Sequence, residues 1–270
     1  MASNAPLLLT GAAGALGQSL RRHLAKRPGG LRSSDMRDPG KPLPSEEIMV
    51  GDLGDARFVD RMVAGTSAVV HLGAVSTEDA VDKIFHANFH GTYHVFDSML
   101  RHGVKRIVFA SSNHAIGYHR VTDRLDATAV QKPDTMYGVS KAFGEDLGSF
   151  FSDKFGFEVA CLRIGSCFPE PANPRMLATW LSYADLARMV EACLDAPKLK
   201  FAILYGASNN KRSYWDNSKS GIDFRPQDSA DGYAAKLMPD GTDPRDPKDP
   251  ATQFQGGPYV NLKLGEKPKL

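Results

Sequence analysis

The chain has 270 residues, of which 42% are hydrophobic and 24% charged, the composition of a globular protein with a full core. Its 33 basic and 31 acidic residues leave a formal net charge of +2, too even a balance for a surface that binds nucleic acid or membrane. We therefore expect a small-molecule substrate, no nucleic-acid partner and no membrane partner.

Neither the N-terminus nor the cysteines indicate export. The start, Met1-Ala2-Ser3-Asn4, lacks the basic and apolar regions of a secretion signal, and no apolar run is long enough to cross a bilayer. Cys161, Cys167 and Cys193 are odd in number and have no Cys-x-x-Cys spacing, so we expect reduced thiols and no disulfide. These features predict a cytoplasmic protein.

The first elements are predicted to be a strand, a turn and a helix. Leu7-Leu8-Leu9 is a short apolar run that leads into glycines, and a helical pattern follows from Leu16 to Ala25. The same alternation continues along the chain. Further strands are predicted at 31–34, 48–50, 68–72, 107–110, 159–164 and 201–205, and further helices at 55–64, 81–100, 137–155 and 183–196.

The strand runs are apolar on consecutive positions, which is typical of strands covered on both faces. This pattern predicts an α/β fold with a doubly wound parallel sheet, the Rossmann fold, and a small C-terminal substrate-binding region. Residues 1–168 would bind the dinucleotide, the strand near 201–205 would return to that domain, and residues 169–270 would form a substrate cap and tail. Residues 240–250 are rich in proline and aspartate, which predicts an extended surface segment.

Glycines separate the first strand from the first helix. Gly11, Gly14 and Gly17 would let the backbone approach a pyrophosphate whose charge faces the unpaired N–H groups of the helix start. Ala15 and Leu16 lie within the same turn and are predicted to contact the cofactor with them. The alternative is an ordinary tight turn.

Two later segments extend the predicted cofactor site. Asp35 follows the second strand, where a carboxylate would accept hydrogen bonds from the adenosine ribose and repel a 2′-phosphate, which favours NAD over NADP. Arg32 and Arg37 argue the other way because an arginine can bind that phosphate, and Asp35 could also be a surface turn residue. Leu72, Gly73 and Ala74 follow the fourth strand, where small residues let the backbone lie against a cofactor.

Tyr137 and Lys141 are the predicted chemical centre. They stand four residues apart, a little over one helical turn, so the phenol and the ammonium project from one face. A nearby cation lowers the pKa of a phenol from about 10 towards the working pH, as general-base catalysis requires. Such a pair also arises by chance in amphipathic helices. Together with the glycine turn and Ser112 it predicts a hydride-transfer site.

Three histidines, His86, His90 and His94, recur every four residues on one predicted helix. This spacing could gather a metal ion on geometry alone. No carboxylate or cysteine lies nearby in the sequence to complete such a site, so we predict no metal.

Six segments carry a family resemblance: 70–76, 109–118, 136–141, 163–167, 175–180 and 215–218. With the spacing Gly-x-x-Gly-x-x-Gly, the chain resembles the extended short-chain dehydrogenases/reductases of the NAD-dependent epimerase/dehydratase superfamily, and more narrowly the bacterial uronate dehydrogenases. Nucleotide-sugar epimerases share the glycines and the Tyr/Lys pair, but typically have Ser-x-x-x-Tyr-Gly where this chain has Ser-Asn-His-Ala-Ile-Gly-Tyr.

The resemblance implies NAD-dependent oxidation of cyclic D-glucuronate or D-galacturonate at the anomeric carbon, which gives the aldarolactone. Tyr137 would take the C1 hydroxyl proton, Lys141 would hold the nicotinamide ribose and lower the tyrosine pKa, and Ser112 would hydrogen-bond the reacting oxygen. Ser111 would then be structural. The same resemblance implies a homo-oligomer.

The resemblance also implies further contacts. Cofactor contacts fall on Asp52, Leu53, Asn88, Ile164 and Cys167, and substrate contacts on Ser76, Asn113, His114, Ser166 and Arg175. Arg175 would bind the uronate carboxylate through two parallel hydrogen bonds, which a neutral sugar cannot accept. Each of these residues also has a structural alternative. Arg175 could be a solvated surface residue, Asn88 could lie on a helix surface, and Cys167 could be an inert packed thiol. The serines could cap a helix or a turn.

Two other functions remain open at this stage. A nucleotide-sugar epimerase or dehydratase would keep the same base and cofactor, but it needs a larger cap than the short region after Ile164 offers. A protein that binds NAD only as a sensor would have no use for Tyr137, Lys141 and Ser112 together.

Overall fold

A seven-stranded parallel sheet organises the protein in a computed structural model, which describes residues 4–268. Residues 1–3 and 269–270 lie outside the described residues. They include most of the N-terminal segment considered for a secretion signal and the two ends of the predicted regions 1–168 and 169–270. The strands are β1 Leu7–Thr10, β2 Leu31–Asp35, β3 Glu46–Val50, β4 Ala68–His71, β5 Arg106–Ser112, β6 Glu158–Ile164, β7 Ser166–Cys167, β8 Trp180–Leu181 and β9 Phe201–Gly206.

Helices connect and cover these strands. The α-helices are α1 Ala15–Leu24, α2 Ala56–Val63, α3 Val81–Ile84, α4 Gly91–Arg101, α5 Met136–Phe155, α6 Met176–Thr179, α7 Tyr183–Asp195, α8 Ala234–Leu237 and α9 Pro250–Gln253. A π-helical turn, Phe85–His90, joins α3 to α4, and 3-10 helices cover Asn113–Ile116, Ala230–Tyr233 and Gly257–Asn261. Within residues 4–268, no helix is long and apolar enough to cross a membrane.

The sheet order is β3-β2-β1-β4-β5-β6-β9, while β7 and β8 form a separate pair. The chain moves outward from β1 to β3 and then returns to β4, so the direction of winding reverses between β1 and β4. Ligands bind outside the carboxyl ends of the strands at such a reversal. The doubly wound fold is therefore confirmed, and it brings the ends of β1, β4, β5 and β6 to one edge.

Alternate strand residues build two hydrophobic cores because successive side chains point to opposite faces of a sheet. Leu7 and Leu9 pack with α1 and α7 on one face. Leu8 packs on the other face against α2, α4 and α5. Each fully buried leucine contributes about 2 kcal/mol of burial free energy, so both helical layers are held firmly on the sheet.

Strand β3 corrects one expectation. Its apolar run, Ile48 to Val50, predicted a strand covered on both faces, but β3 is an edge strand of the sheet. Ile48 and Met49 are half-buried, and Val50 is 52% exposed. A short apolar run does not distinguish an edge strand from a central one, because that difference depends on which neighbours the topology supplies.

A buried ion pair ties β6 to α5 beneath the site. Arg163 and Glu145 form two hydrogen bonds of 2.8 and 2.9 Å, and both side chains are almost completely buried. Ser111 and Gln131 also donate to the Glu145 carboxylate, while the Tyr205 hydroxyl lies 3.0 Å from the guanidinium. Each buried charge thus has several partners.

We expect Glu145→Gln to lower the free energy of unfolding by about 3 to 5 kcal/mol, because it leaves the Arg163 guanidinium buried without its counter-charge. Urea unfolding followed by far-UV circular dichroism measures the effect. The matched control is Glu158→Gln, which breaks the partly exposed pair with Arg106 and should cost less than about 1 kcal/mol. Equal losses in the two variants would contradict the prediction.

Candidate active site

The glycine turn brings β1 and the chain after β4 into close contact. Gly11 has a φ of +72°, and a Cβ built on it would lie 2.8 Å from the backbone nitrogen of Gly73 and from the carbonyl carbon of Leu72. A Cβ on Gly17 would overlap the Gly11 carbonyl oxygen and lie 2.7 Å from the Ala12 Cα. Both positions therefore require glycine, and the turn leaves bare backbone facing the switch point.

Helix α1 begins at this turn without a side-chain cap. Gly14 is the N-cap residue, and the helix hydrogen bonds begin with Gln18, which donates to the Gly14 carbonyl at 2.8 Å. The backbone N–H groups of Ala15, Leu16 and Gly17 therefore lack acceptors within the helix. Such groups, at the positive end of a helix dipole, suit a pyrophosphate, so the residues present fit a dinucleotide.

Asp35 lies beside this turn. Its carboxylate accepts hydrogen bonds from the backbone N–H of Ala13 and of Arg37, each at 3.0 Å, and its side chain is 11% exposed. Arg32 is engaged elsewhere, because it donates to Glu47 and to the carbonyls of Met62 and Ala64. Arg37 is exposed and remains near Asp35. The arrangement leaves Arg37 as the cation beside the predicted ribose position.

The chain after β3 and β4 supplies the next predicted cofactor residues. Leu53 packs against Gly73, whose missing Cβ would lie 2.7 Å from the Leu53 Cδ1. Asp52 is half-exposed and bonds His86 at 2.8 Å.

Asn88 is buried and hydrogen-bonds both backbone groups of Val75, and its amide also donates to Ser140 at 2.8 Å. Leu72 and Ala74 flank Gly73 and are half-buried.

Helix α5 carries Tyr137 and Lys141 towards the ends of β4 and β5. Thr135 caps the helix, and Gly138 lies so close to the His114 carbonyl group that a Cβ there would overlap it. The two side chains share a face, because the Lys141 Nζ lies 5.6 Å from the Tyr137 ring centroid. The Lys141 ammonium donates to the Ala110 carbonyl at 2.7 Å.

The pKa of Tyr137 differs from the sequence-based expectation. Burial raises it above the ordinary value of 10, and only the hydrogen bond with Ser112 opposes this, while Tyr259 and Asp134 raise it further. Burial also lowers the pKa of Lys141 to about 8. In the protein without ligands, the tyrosine pKa is therefore raised and not lowered, since burial is the largest effect on it.

The two serines at the end of β5 face opposite sides of the sheet. Ser112 ends β5 and accepts a hydrogen bond from the His114 backbone N–H at 3.2 Å, on the same side as Tyr137. Ser111 points the other way and donates to Glu145. Adjacent strand residues face opposite sides of a sheet, so only one of the two serines reaches the site.

His114 is held on two sides. Its Nδ1 lies 2.8 Å from the Asp134 carboxylate, and its ring stacks on Tyr259 with 3.8 Å between the ring centroids. The Tyr137 ring meets it edge to face at 5.8 Å. His114 therefore stands beside the predicted base with a fixed orientation.

Arg175 reaches the same region from the start of α6. Its Nη1 donates to Ser166 at 3.1 Å and its Nη2 to the Gln255 carbonyl at 2.7 Å. With the Asn113 amide oxygen facing the guanidinium, Nη2 also bonds this oxygen at 2.9 Å, and the amide nitrogen donates to Ile164 at 3.1 Å. Of the five N–H donors of a guanidinium, one on Nη1 and the one on Nε have no acceptor among the described residues, and the Nε is buried.

The other predicted residues lie at the rim or in the walls. Ser76 is exposed, and no hydrogen bond ties it to another described residue. Ile164 is buried at the end of β6, and burial raises the pKa of the Cys167 thiol, which fits an inert packed cysteine.

Two of the three predicted histidines bond elsewhere: His86 bonds the Asp52 carboxylate, and His94 bonds the Leu53 carbonyl. Among residues 4–268, no group of three or more metal-ligating side chains is present.

Four residues of this site have no counterpart in the sequence prediction. Glu78 accepts from the Tyr137 backbone N–H at 2.8 Å, Asp134 orients His114, and Gln255 and Tyr259 bring the C-terminal segment onto Arg175 and His114. The paired glycines 256 and 257, which predict a tight turn, are the only sequence signal for the last two. Nothing in the local pattern marks Glu78 or Asp134.

Comparison with known proteins agrees with this geometry. Residues 7–214 match the profile described as NAD dependent epimerase/dehydratase family. The chain belongs to this family. Because the family is NAD dependent, the prediction of NAD as the cofactor is confirmed.

The more similar members of the family are dehydrogenases of sugar acids. The chain is 44% identical over 256 residues to a uronate dehydrogenase of Pseudomonas syringae pv. tomato, which covers 94% of this chain and 92% of that protein. A crystal structure of glucuronic acid dehydrogenase from Chromohalobacter salexigens has a TM-score of 0.93 at 43% identity and covers 97% of this chain and 98% of that one. A crystal structure of a mutant uronate dehydrogenase from Agrobacterium tumefaciens, complexed with NAD, has a TM-score of 0.92 at 43% identity. The match covers 96% of this chain and 98% of that one. The resemblance to uronate dehydrogenases is thus confirmed.

The buried ammonium at 141 predicts a pH-dependent stability difference. The pKa of Lys141 is about 8 in the folded protein and about 10.4 in an unfolded chain, so between these values the unfolded chain binds the additional proton. Stability therefore rises with pH across this window. We expect the wild type to gain up to about 3 kcal/mol relative to Lys141→Met between pH 7 and 10.

Urea unfolding of the two proteins across this pH range measures the difference. The matched control is Lys105→Met, because Lys105 is exposed but also donates to a carbonyl, that of Phe155 at 3.0 Å. It should show no comparable gain. A flat difference for Lys141→Met would mean that the buried ammonium keeps its proton throughout.

Proposed function

We propose that the protein oxidises the cyclic form of a hexuronic acid, D-glucuronate or D-galacturonate, at the C1 hydroxyl to give the aldarolactone, with NAD as hydride acceptor. The observation that carries this proposal is the convergence of Tyr137, Ser112 and Arg175 at the carboxyl ends of β5 and β6, in a chain 44% identical to a uronate dehydrogenase. The first two residues suit the reacting hydroxyl, and the third suits a carboxylate.

The proposed chemistry divides among three side chains. Tyr137 takes the proton from the C1 hydroxyl, Ser112 hydrogen-bonds the same oxygen, and Lys141 holds the nicotinamide ribose and stabilises the phenolate. NAD, when bound, supplies the acceptor for the hydride from C1. Because burial raises the tyrosine pKa in the protein alone, the base requires the positive charges of Lys141 and the oxidised cofactor near it.

Recognition of the acid group is assigned to the region 169–270 and the strand ends beside it. Arg175 binds the carboxylate, and Asn113, His114 and Ser166 contact it or the ring hydroxyls. Ser76 closes the pocket from the loop after β4. The free N–H group on Nη1 of Arg175 supports this assignment, since no described residue accepts from it.

Location and assembly are further proposals. Three free cysteines, two of them buried, fit the reducing cytoplasm. Phe85 and Tyr93, which are 41% and 48% exposed along the helical segment 81–101, would suit contact with a second copy in a homo-oligomer.

Formation of NADH at its absorbance band tests the function. With NAD present, we expect turnover with D-glucuronate and D-galacturonate and none with UDP-glucose, because the site offers a cation for a free acid group. Turnover with UDP-glucose alone would favour a nucleotide-sugar enzyme. Silence with all three compounds would favour a protein that only binds NAD.

Tyr137→Phe tests the base. We expect kcat to fall by at least about a thousandfold, since the variant cannot accept the proton, while the Kd for NAD stays within about threefold of the wild type. Steady-state rates and NAD titration by intrinsic fluorescence measure the two quantities. A near wild-type rate would refute the assignment.

Arg175→Ala tests the carboxylate contact. We expect a preferential rise of the KM for uronates, by about a hundredfold, because a charge-assisted hydrogen bond between the guanidinium and a carboxylate contributes roughly 2 to 3 kcal/mol of binding. NAD affinity should change little. Unchanged kinetics would make Arg175 a structural residue.

A further inference from the structure

The segment Phe254 to Tyr259, here the tail turn, is built into the wall of the site. Phe254 pairs with Arg120 as an isolated antiparallel bridge. The Gln255 N–H donates to the His119 carbonyl and the Gly256 N–H to the Gly117 carbonyl, each at 2.9 Å. The tail turn therefore follows the chain that leaves the 3-10 helix Asn113–Ile116, although it lies more than 100 residues away in the sequence.

Gln255 anchors the tail turn from inside. Its side chain is fully buried, its Oε1 accepts from the Trp215 indole at 2.8 Å, and its Nε2 donates to the carbonyls of Arg120 and Asp123 at 2.9 and 3.0 Å. Three hydrogen bonds fix this residue, so its own carbonyl is a fixed acceptor for the Arg175 Nη2 at 2.7 Å.

Gly257 determines the space beside the same guanidinium. It has a φ of +63°, and a Cβ built on it would overlap the Arg175 Nε and lie 2.6 Å from Cδ and 3.0 Å from Cζ. The Nε is buried and has no hydrogen-bond partner. A side chain at 257 could be accommodated only if the guanidinium moved.

A buried N–H without a partner costs free energy, so the position of the Arg175 Nε needs a structural reason. The Gln255 carbonyl and the missing side chain at 257 hold Arg175 in this orientation, with Nε and one Nη1 N–H unused.

We propose that Gln255 and Gly257 are positioning residues that set the orientation of Arg175 and thereby the affinity of the site for the uronate carboxylate. This inference rests on the proposed function, because it needs Arg175 to bind that carboxylate. The tail turn then acts on substrate binding, not on hydride transfer or on NAD.

Gly257→Ala is the direct test. We expect the KM for D-glucuronate and D-galacturonate to rise at least tenfold, while kcat and the Kd for NAD stay within about threefold, because only the carboxylate contact is displaced. The matched control is Gly241→Ala, whose φ is +74° but whose Cβ would meet nothing within 4 Å. It carries the same backbone strain without the contact, so its KM should remain that of the wild type.

A double-mutant cycle with Arg175→Ala shows whether the effect passes through the guanidinium. In the Arg175→Ala background, Gly257→Ala should change the KM by less than twofold. An undiminished tenfold effect there would overturn the inference. So would a Gly257→Ala protein with the kinetics of Gly241→Ala while Arg175→Ala still raises the KM, and this outcome would leave the proposed function intact.

Two other outcomes are informative. If Arg175→Ala leaves the uronate KM unchanged, the carboxylate contact and this inference both fail.

If Gly257→Ala does not fold, Trp215→Phe replaces it, because it removes one hydrogen bond to Gln255 and keeps most of the aromatic bulk. We expect Trp215→Phe to raise the KM about two- to fivefold, and only while Arg175 is present. A wild-type KM in this variant would refute the role of Gln255.

Discussion

Close approach of glycine backbone to neighbouring atoms is the constraint on which this site depends. Gly11 lies against the chain at Leu72 and Gly73, Gly138 lies against the His114 carbonyl group, and Gly257 lies against Arg175. A single Cβ at any of these contacts would separate two elements that have to meet. The first contact leaves backbone exposed at the proposed dinucleotide site, the second brings helix α5 with Tyr137 against the turn after β5, and the third fixes the guanidinium. These glycine contacts thus position the side chains of the proposed site.

Burial then determines the electrostatics of the site. Lys141 and Tyr137 are both enclosed, so the charged form of each is disfavoured: burial raises the pKa of Tyr137 and lowers the pKa of Lys141, and the two values move apart. The pKa of the buried His71 is lowered to about 3 by burial and by the charge of Lys141, so this histidine is neutral. It can therefore accept from the hydroxyl of Thr10, which itself accepts from the Gly73 N–H. Without ligands, burial therefore keeps the Tyr137 phenol in its neutral form, and we expect ligand charge to be needed to activate the proposed base.

The substrate side is assembled from distant parts of the chain. Arg175 comes from α6, Asn113 and His114 from the turn after β5, and Gln255 and Tyr259 from the tail turn. The Arg163–Glu145 pair ties β6 to α5 beneath them, so that the strand ends and the catalytic helix keep their relative positions. In the proposed function, the residues for hydride transfer and those for the acid group lie at the same strand ends but are held by different segments. A change in the tail turn should therefore affect KM without affecting kcat.

The sequence by itself determined the parallel sheet, the glycine turn, the Tyr137–Lys141 spacing and the choice of Ser112 over Ser111, because each follows from local periodicity, from the space that glycine leaves, or from family motifs. Only the tertiary structure decided that β3 is an edge strand and that burial raises the pKa of Tyr137. It alone brought Asp134, Gln255 and Gly257 to His114 and Arg175. Those outcomes depend on neighbours far away in the chain, and no local pattern records them.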